Sequence, residues 1–190
     1  MPFAGSCRGR IKSLATRNWT GWALARDTRG ATLVEFAAVS APFIALLLAI
    51  VQTSIVFFAQ QALETATEQA SRILLTGKAQ QGGYSQSQFK QSVCAVLPIP
   101  LQCSNLMIDV STAASFSAAN TNRPTITYDK NGNVTNTWSY SPGGARTIVV
   151  LKLMYIWPVQ MGPLNFNMSN AGNGKRLLVA TSVFETEPYS

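Results

Sequence analysis

The sequence contains no histidine, and acidic side chains are scarce, with 8 Asp and Glu among 190 residues. Without histidine, neither the Ser-His-acid nor the Cys-His arrangement of nucleophilic enzymes can be built. Glu185 and Glu187 share one face of a predicted strand, as a catalytic carboxylate pair could, but a strand end favours solvated charges. No phosphate-binding loop, dinucleotide fingerprint or zinc-ligand spacing occurs. The sequence therefore predicts a protein that is not an enzyme and that uses no cofactor and no metal.

Charge is also missing from one long run, because residues 36–63 contain no Asp, Glu, Lys or Arg. A helix of about 20 apolar residues crosses a bilayer, so the run is long enough to span a membrane. A buried core helix and the apolar part of a cleaved signal peptide are the alternatives. Signal peptides have apolar parts of about 7 to 15 residues followed by a small-x-small site. The length of this run favours a retained transmembrane helix.

Basic residues are concentrated before the apolar run, and their distribution predicts its orientation. The N-terminal arm contains one acid, Asp27, and the following basic residues: Arg8, Arg10, Lys12, Arg17, Arg26 and Arg29. Because the basic side of a span stays in the cytoplasm, we expect a single-pass protein of a bacterial inner membrane with a periplasmic C-terminal domain. The arm contributes to the pI of about 9.7, and the rest has no basic patch interleaved with aromatics. Nucleic acid is therefore not an expected partner.

Glu35 lies at the edge of the apolar run, five positions after Gly30. A carboxylate in a membrane helix costs about 2.5 to 3.5 kcal/mol at the bilayer centre and less near the interface, so it requires a partner. If the chain were cut after Gly30, Ala31 would supply an α-amino group four residues away on the same helical face. A neighbouring subunit could supply the same amine. The alternative is that Glu35 extends to the cytoplasmic interface.

The segment around Glu35 resembles a known family. A glycine, a glutamate five positions later and a continuous apolar helix form the pattern of type IV prepilins and pseudopilins. The sequence is most similar to TadE-like proteins of the tight-adherence (Flp) pilus system. The similar stretches are GATLVEFA at residues 30–37, FFAQQALE at residues 57–64 and VFETEPY at residues 183–189.

The resemblance implies a precursor that is processed and then assembled. A membrane-bound prepilin peptidase would cut between Gly30 and Ala31, and Glu35 would aid docking into the assembly platform. The implied partners are the inner membrane, the peptidase, other pilins or pseudopilins, and the pilus assembly platform. Ala31 differs from the Phe that follows the cut in type IV pilins.

Hydrophobic periodicity predicts that the helix continues beyond the membrane and ends near Gly77. Apolar residues recur there at intervals of three and four: Ala59, Leu63, Ala66, Ala70 and Ile73. We therefore predict a basic cytoplasmic leader at 1–30, a transmembrane helix at 31–59, an amphipathic extension at 60–76 and a periplasmic domain at 77–190.

The outer domain has strand character, which predicts an α+β fold with an antiparallel sheet behind a long N-terminal helix, as in pilins. A polar loop is expected at 77–92, with helix resuming around 87–96. Strands are predicted at these positions: 106–110, 125–128, 134–140, 147–157 and 175–187. The turn at 129–133 contains Asn131-Gly132, which suits a hairpin.

Cys94 and Cys103 enclose a short segment in the part assigned to the periplasm. An oxidising periplasm would allow a disulfide between them, and closure of so short a loop would stabilise the fold by about 2 to 3 kcal/mol. Two unpaired buried thiols are the alternative, since sequence does not determine the Cα separation. Cys7 would stay in the reducing cytoplasm and be removed with the leader.

Taken together, these features predict a structural assembly protein, a minor pseudopilin cleaved before it serves at the base or initiation of a pilus fibre. A permanently anchored periplasmic binding or adhesion module is the main alternative. A membrane-tethered hydrolase without a recognisable site is the third. Loss of the leader in the presence of a prepilin peptidase distinguishes the first from the second.

Overall fold

The computed structural model describes residues 30–172 and 174–189. The predicted leader and Cys7 therefore lie outside the described residues, apart from Gly30. Helix α1 spans Ala31–Leu75 and contains Pro42. The chain divides into two units, with the boundary between Phe43 and Ile44.

The C-terminal part of α1 packs against a sheet through one stripe of small and branched side chains. The buried members of this stripe are Val56, Ala59, Ala62, Leu63, Ala66, Ala70 and Leu74. Their spacing of three and four residues keeps them on one helical face. The alanines let the helix backbone approach the strands closely. The predicted amphipathic stripe is thus confirmed, although Leu74 rather than Ile73 is its fully buried end.

Gly77 follows the end of α1 and has a φ of 71°, a conformation that glycine adopts without steric cost. The short helix α2, Lys78–Gln81, begins directly after it. Helix α3 spans Gln86–Cys94, close to the helix predicted at 87–96. The predicted resumption of helix near residue 87 is confirmed, and a capping box between Ser85 and Gln88 sets its start. The part of the predicted polar loop that was wrong is Lys78–Gln81, which is helical.

Three antiparallel strands form the sheet: β1 at Leu106–Ala113, β2 at Ile148–Pro158 and β3 at Lys175–Glu185. Strand β2 lies in the centre, with Leu106 opposite Tyr155 on one side and Leu178 opposite Tyr155 on the other. The predicted α+β fold, with a long helix followed by an antiparallel sheet, is confirmed.

Strand β2 is buried on both faces. Val149, Leu151 and Leu153 belong to the core shared with α1, whereas Lys152 on the opposite face is also buried. The Lys152 ammonium donates a hydrogen bond of 3.0 Å to the carbonyl of Asn122. The long connection at 114–147 therefore covers the second face of the sheet.

Strands predicted at 125–128 and 134–140 are not present as strands. Only isolated bridges join Tyr128 to Val134 and Val110 to Tyr140. The Asn136 side chain accepts from the Thr127 amide and donates to the Thr125 carbonyl, so it takes the place of backbone partners in a ladder.

The turn between these segments is confirmed. The amide of Asp129 donates to the carbonyl of Asn133 at 2.9 Å, and Gly132 has a φ of 79°. The Asp129 carboxylate accepts from the side chain and amide of Asn133 and from the amide of Asn131. These hydrogen bonds, led by the Asn133 side chain, lower the pKa of Asp129 below its ordinary value.

Candidate functional site

Gly30 immediately precedes the first residue of α1, Ala31. A methyl group added at Gly30 would have no neighbouring atom of the described residues within 4 Å, so the described part of the fold does not require glycine there. Glu35 is exposed one helical turn further on. The three residues predicted to form the cleavage and docking site thus lie at the start of one helix, and their roles remain predictions.

The N-terminal half of α1 exposes an apolar surface that no other part of the described chain covers. Leu33 is 73% and Phe36 72% exposed, in contrast to Ala59, which is fully buried. The other large apolar side chains of this helix that are exposed are Val34, Val39, Phe43, Ile44, Leu46, Leu47, Leu48, Ile50, Val51, Ile55, Phe57 and Phe58. Surfaces of this extent are characteristic of contact with lipid or with another protein. The helix is apolar and long enough to cross a membrane, counted over Thr32–Leu75.

A known protein family matches this chain over most of α1. Residues 30–72 match the family model described as TadE-like protein. The TadE-like segment begins at Gly30 and ends within α1, so the sheet and its connections lie outside it. No curated protein and no solved structure gives a significant match to the chain.

The last residues of the chain pack at the end of the helix that carries the TadE-like segment. The amide of Glu187 donates a hydrogen bond of 2.9 Å to the carbonyl of Leu75. The ring of Tyr189 occupies the space that a side chain at Gly77 would need. The C-terminal Glu-Pro-Tyr sequence of this chain therefore closes the C-terminal end of α1.

Thr186 fixes this ending to the turn before β2. Thr186 is 2% exposed, and its hydroxyl accepts from the Thr147 amide at 2.9 Å and donates to the Gly144 carbonyl. The amide of Thr186 also donates to the Thr147 carbonyl at 3.0 Å. Glu185 and Glu187 are both exposed on either side of it, as expected for a solvated strand end.

The predicted disulfide between Cys94 and Cys103 is confirmed, with a Cα–Cα distance of 5.4 Å. It joins the end of α3 to the 3-10 turn Cys103–Asn105, which leads into β1. Among residues 30–172 and 174–189, no three His, Cys, Asp or Glu side chains are grouped as metal ligands would be. The absence of a metal and of a cofactor stays a prediction.

Sequence reasoning missed a group of side chains that covers the free edge of β3. Arg123 donates to the Leu177 carbonyl, and Gln60 donates to the Val179 carbonyl at 3.0 Å. Asn170 accepts from the Leu177 amide at 2.8 Å. Burial, together with the charge of nearby Arg176, lowers the pKa of Arg123. Hydrogen bonds of this kind prevent an edge strand from pairing with other chains. No local sequence pattern predicts them, because the partners are distant in sequence.

Proposed function

We propose that this protein is a minor pseudopilin of a Flp/tight-adherence pilus and that it has a structural rather than an enzymatic role. The observation that carries the proposal is the match of residues 30–72 to the TadE-like family, which starts at Gly30. The exposed apolar surface of α1 supports it, because a surface of this kind can first contact lipid and later contact other subunits.

In this proposal the precursor is anchored in the bacterial inner membrane by α1. The basic leader lies in the cytoplasm and the outer domain in the periplasm. A prepilin peptidase cuts between Gly30 and Ala31, and the processed chain joins other pilins or pseudopilins at the assembly platform. The disulfide between Cys94 and Cys103 is consistent with an oxidising compartment for the outer domain.

Glu35 would act after cleavage. Its carboxylate lies on the same helical face as Ala31, within the reach of an i,i+4 pair. A new α-amino group on Ala31, of the same chain or of a neighbouring subunit, would neutralise Glu35 as the helix moves within the membrane and into the fibre. Pairing offsets the cost of an isolated carboxylate in lipid, which is about 2.5 to 3.5 kcal/mol at the centre of the bilayer.

Cleavage is tested by intact-mass measurement of the full chain extracted from membranes with and without a prepilin peptidase. We expect loss of residues 1–30 only when the peptidase is present. In the Gly30→Val variant we expect cleavage to slow at least tenfold, since a side chain then stands at the scissile bond.

The Gly30→Val substitution is informative because the space beside Gly30 is open, so a loss of cleavage reports on the peptidase rather than on folding. Thr32→Val, which changes an exposed residue just beyond the cut, is the matched control and should be processed normally. An unchanged full-length mass of the native chain with and without the peptidase would contradict the proposal and favour a permanently anchored binding or adhesion module.

A further inference from the structure

The connection between β2 and β3 is residues 159–174, and its described part, 159–172 and 174, lies beside α1. The Thr53 hydroxyl is 3.7 Å from the sulfur of Met168, and the Gln52 amide oxygen fills the space next to Gly162. The residues that line a groove between the helix and this end of the sheet include Ile55, Trp157 and Met168. We call residues 159–174 the proximal loop.

The proximal loop contacts α1 where the exposed apolar surface of the helix ends. Ile55 is 47% and Phe58 61% exposed, whereas Ala59 is fully buried against the sheet. Polar residues such as Gln60 follow. A span that begins after Glu35 needs about 20 residues to cross the hydrocarbon core, which brings it to the region of Ile55. The proximal loop therefore lies at the level where the helix would leave the membrane.

The chemistry of the proximal loop differs from that of an ordinary solvent-exposed loop. It contains no Asp, Glu, Lys or Arg, and it is followed directly by Lys175 and Arg176. Met161 is 69% exposed and Phe166 37% exposed. Apolar side chains flanked by basic residues are typical of protein surfaces that contact lipid headgroups.

A second apolar side chain lies at the same end of the sheet. Ile99, which at 87% is the most exposed large apolar side chain among the described residues, belongs to the segment before β1. That segment is attached to the sheet by the Gln102 amide, which donates to the Tyr155 hydroxyl at 3.2 Å. Tyr155 in turn packs near Trp157, with ring centroids 6.2 Å apart.

One acidic group, Asp129, lies nearby, and a basic residue follows it directly. Lys175 donates to the Gly132 carbonyl at 3.2 Å, so the 129–133 turn adjoins the start of β3. The Asp129 carboxylate of that turn is occupied by hydrogen bonds from Asn131 and Asn133. The neighbouring Lys130 is exposed and adds to the positive charge.

We propose that the proximal loop, together with Ile99, rests on the outer surface of the bilayer that α1 crosses, with Met161 and Phe166 among the lipid headgroups. The proposal rests on the proposed function in that it requires α1 to span a membrane. The outer domain then has two attachments to the bilayer, the helix and the loop, which fix its orientation while the subunit waits for assembly. Entry into a fibre requires the loop to leave the lipid.

The test places one spin label at a time on the full chain, in a Cys7→Ser background, reconstituted into vesicles of phosphatidylethanolamine and phosphatidylglycerol. The labelled positions are Met161→Cys, Phe166→Cys, Leu47→Cys and Ser117→Cys. Leu47 lies in the apolar surface of α1, and Ser117 is exposed beyond the opposite end of β1. We expect labels at Met161 and Phe166 to collide several-fold more with lipid-soluble oxygen than with a water-soluble nickel complex, and the label at Ser117 to show the reverse.

Each other outcome has a definite meaning. If Leu47 is in lipid while Met161 and Phe166 behave like Ser117, the loop proposal is wrong and the membrane span stands. If Leu47 is also in water, the span fails, and the proposed function fails with it. Labels at Met161 and Phe166 that are aqueous in vesicles but shielded in assembled fibres would instead assign the loop to a protein interface.

Discussion

Gly77 combines two constraints in one residue. Its φ of 71° lies in the left-handed region, and the Tyr189 ring fills the position of a side chain. We expect Gly77→Ala to lower the free energy of unfolding by about 2 kcal/mol or more, because a strained φ alone costs of the order of 1 kcal/mol and the ring must also move. Denaturant unfolding of the full chain in detergent, followed by near-ultraviolet circular dichroism, measures this change.

Gly172 provides the matched control for Gly77. It has a similar φ of 75°, but a side chain there would have no neighbour within 4 Å. Gly172→Ala therefore isolates the cost of the backbone conformation. Equal losses in the two variants would show that the Tyr189 contact contributes nothing and that the C-terminal ending does not close the helix.

The proposed assembly mechanism depends on the charge of Glu35. Glu35→Gln keeps the shape of the side chain and removes the charge that a new α-amino group would neutralise. We expect peptidase cleavage to stay within about twofold of the native rate, while the number of pili per cell falls at least tenfold. Intact mass gives the first quantity and counting by electron microscopy gives the second.

A neighbouring substitution separates the charge of Glu35 from a general effect on the helix. Ser40→Ala removes a hydroxyl that donates only to the Ala37 carbonyl of the same helix, at 3.3 Å, and should leave piliation normal. Normal piliation in Glu35→Gln would remove Glu35 from the mechanism.

At the scale of elements, hydrophobic periodicity predicts the helices and strands whose apolar pattern repeats. It does not predict features that depend on the hydrogen bonds of one or two side chains. The stripe from Ala59 to Ala70 and the β-branched run of β2 repeat over several turns or residues, so their patterns were sufficient. The helix predicted to resume near residue 87 was confirmed, although its first residue depends on the pair Ser85 and Gln88. The strands that were wrongly predicted depend on Asn136, whose side chain replaces backbone partners. A count of apolar residues contains neither feature.

The residues of the candidate site likewise differ in whether the sequence alone could identify them. Gly30, Ala31 and Glu35 could be named from the sequence because their spacing is local and forms a known pattern. Arg123 and the C-terminal contact at Gly77 could not, since their partners lie far along the chain and only folding brings them together. The disulfide is an intermediate case. Cys94 and Cys103 are close in sequence, but the sequence does not give the distance between their Cα atoms, which is 5.4 Å in the structure.

At the scale of the whole molecule, the exposed apolar helix and the disulfide-linked outer domain suit two different environments. Lipid or other subunits can cover the apolar side chains of α1, whereas an oxidising compartment favours the bridge between Cys94 and Cys103. One chain satisfies both requirements if α1 crosses a membrane between a reducing cytoplasm and an oxidising periplasm. The basic arm then fixes which end lies on which side.

This topology predicts opposite labelling of two thiols in one chain. In spheroplasts, a membrane-impermeant maleimide should label Ser117→Cys, in the exposed Phe116–Ala118 turn, without permeabilisation. Cys7 of the uncleaved Gly30→Val precursor should react only after the membrane is opened. Cys94 and Cys103 should remain unlabelled until a reductant is added, which serves as the internal control for an intact outer domain. Labelling of Cys7 and of Ser117→Cys from the same side would show that α1 does not separate the leader from the sheet, and anchoring would then need another explanation.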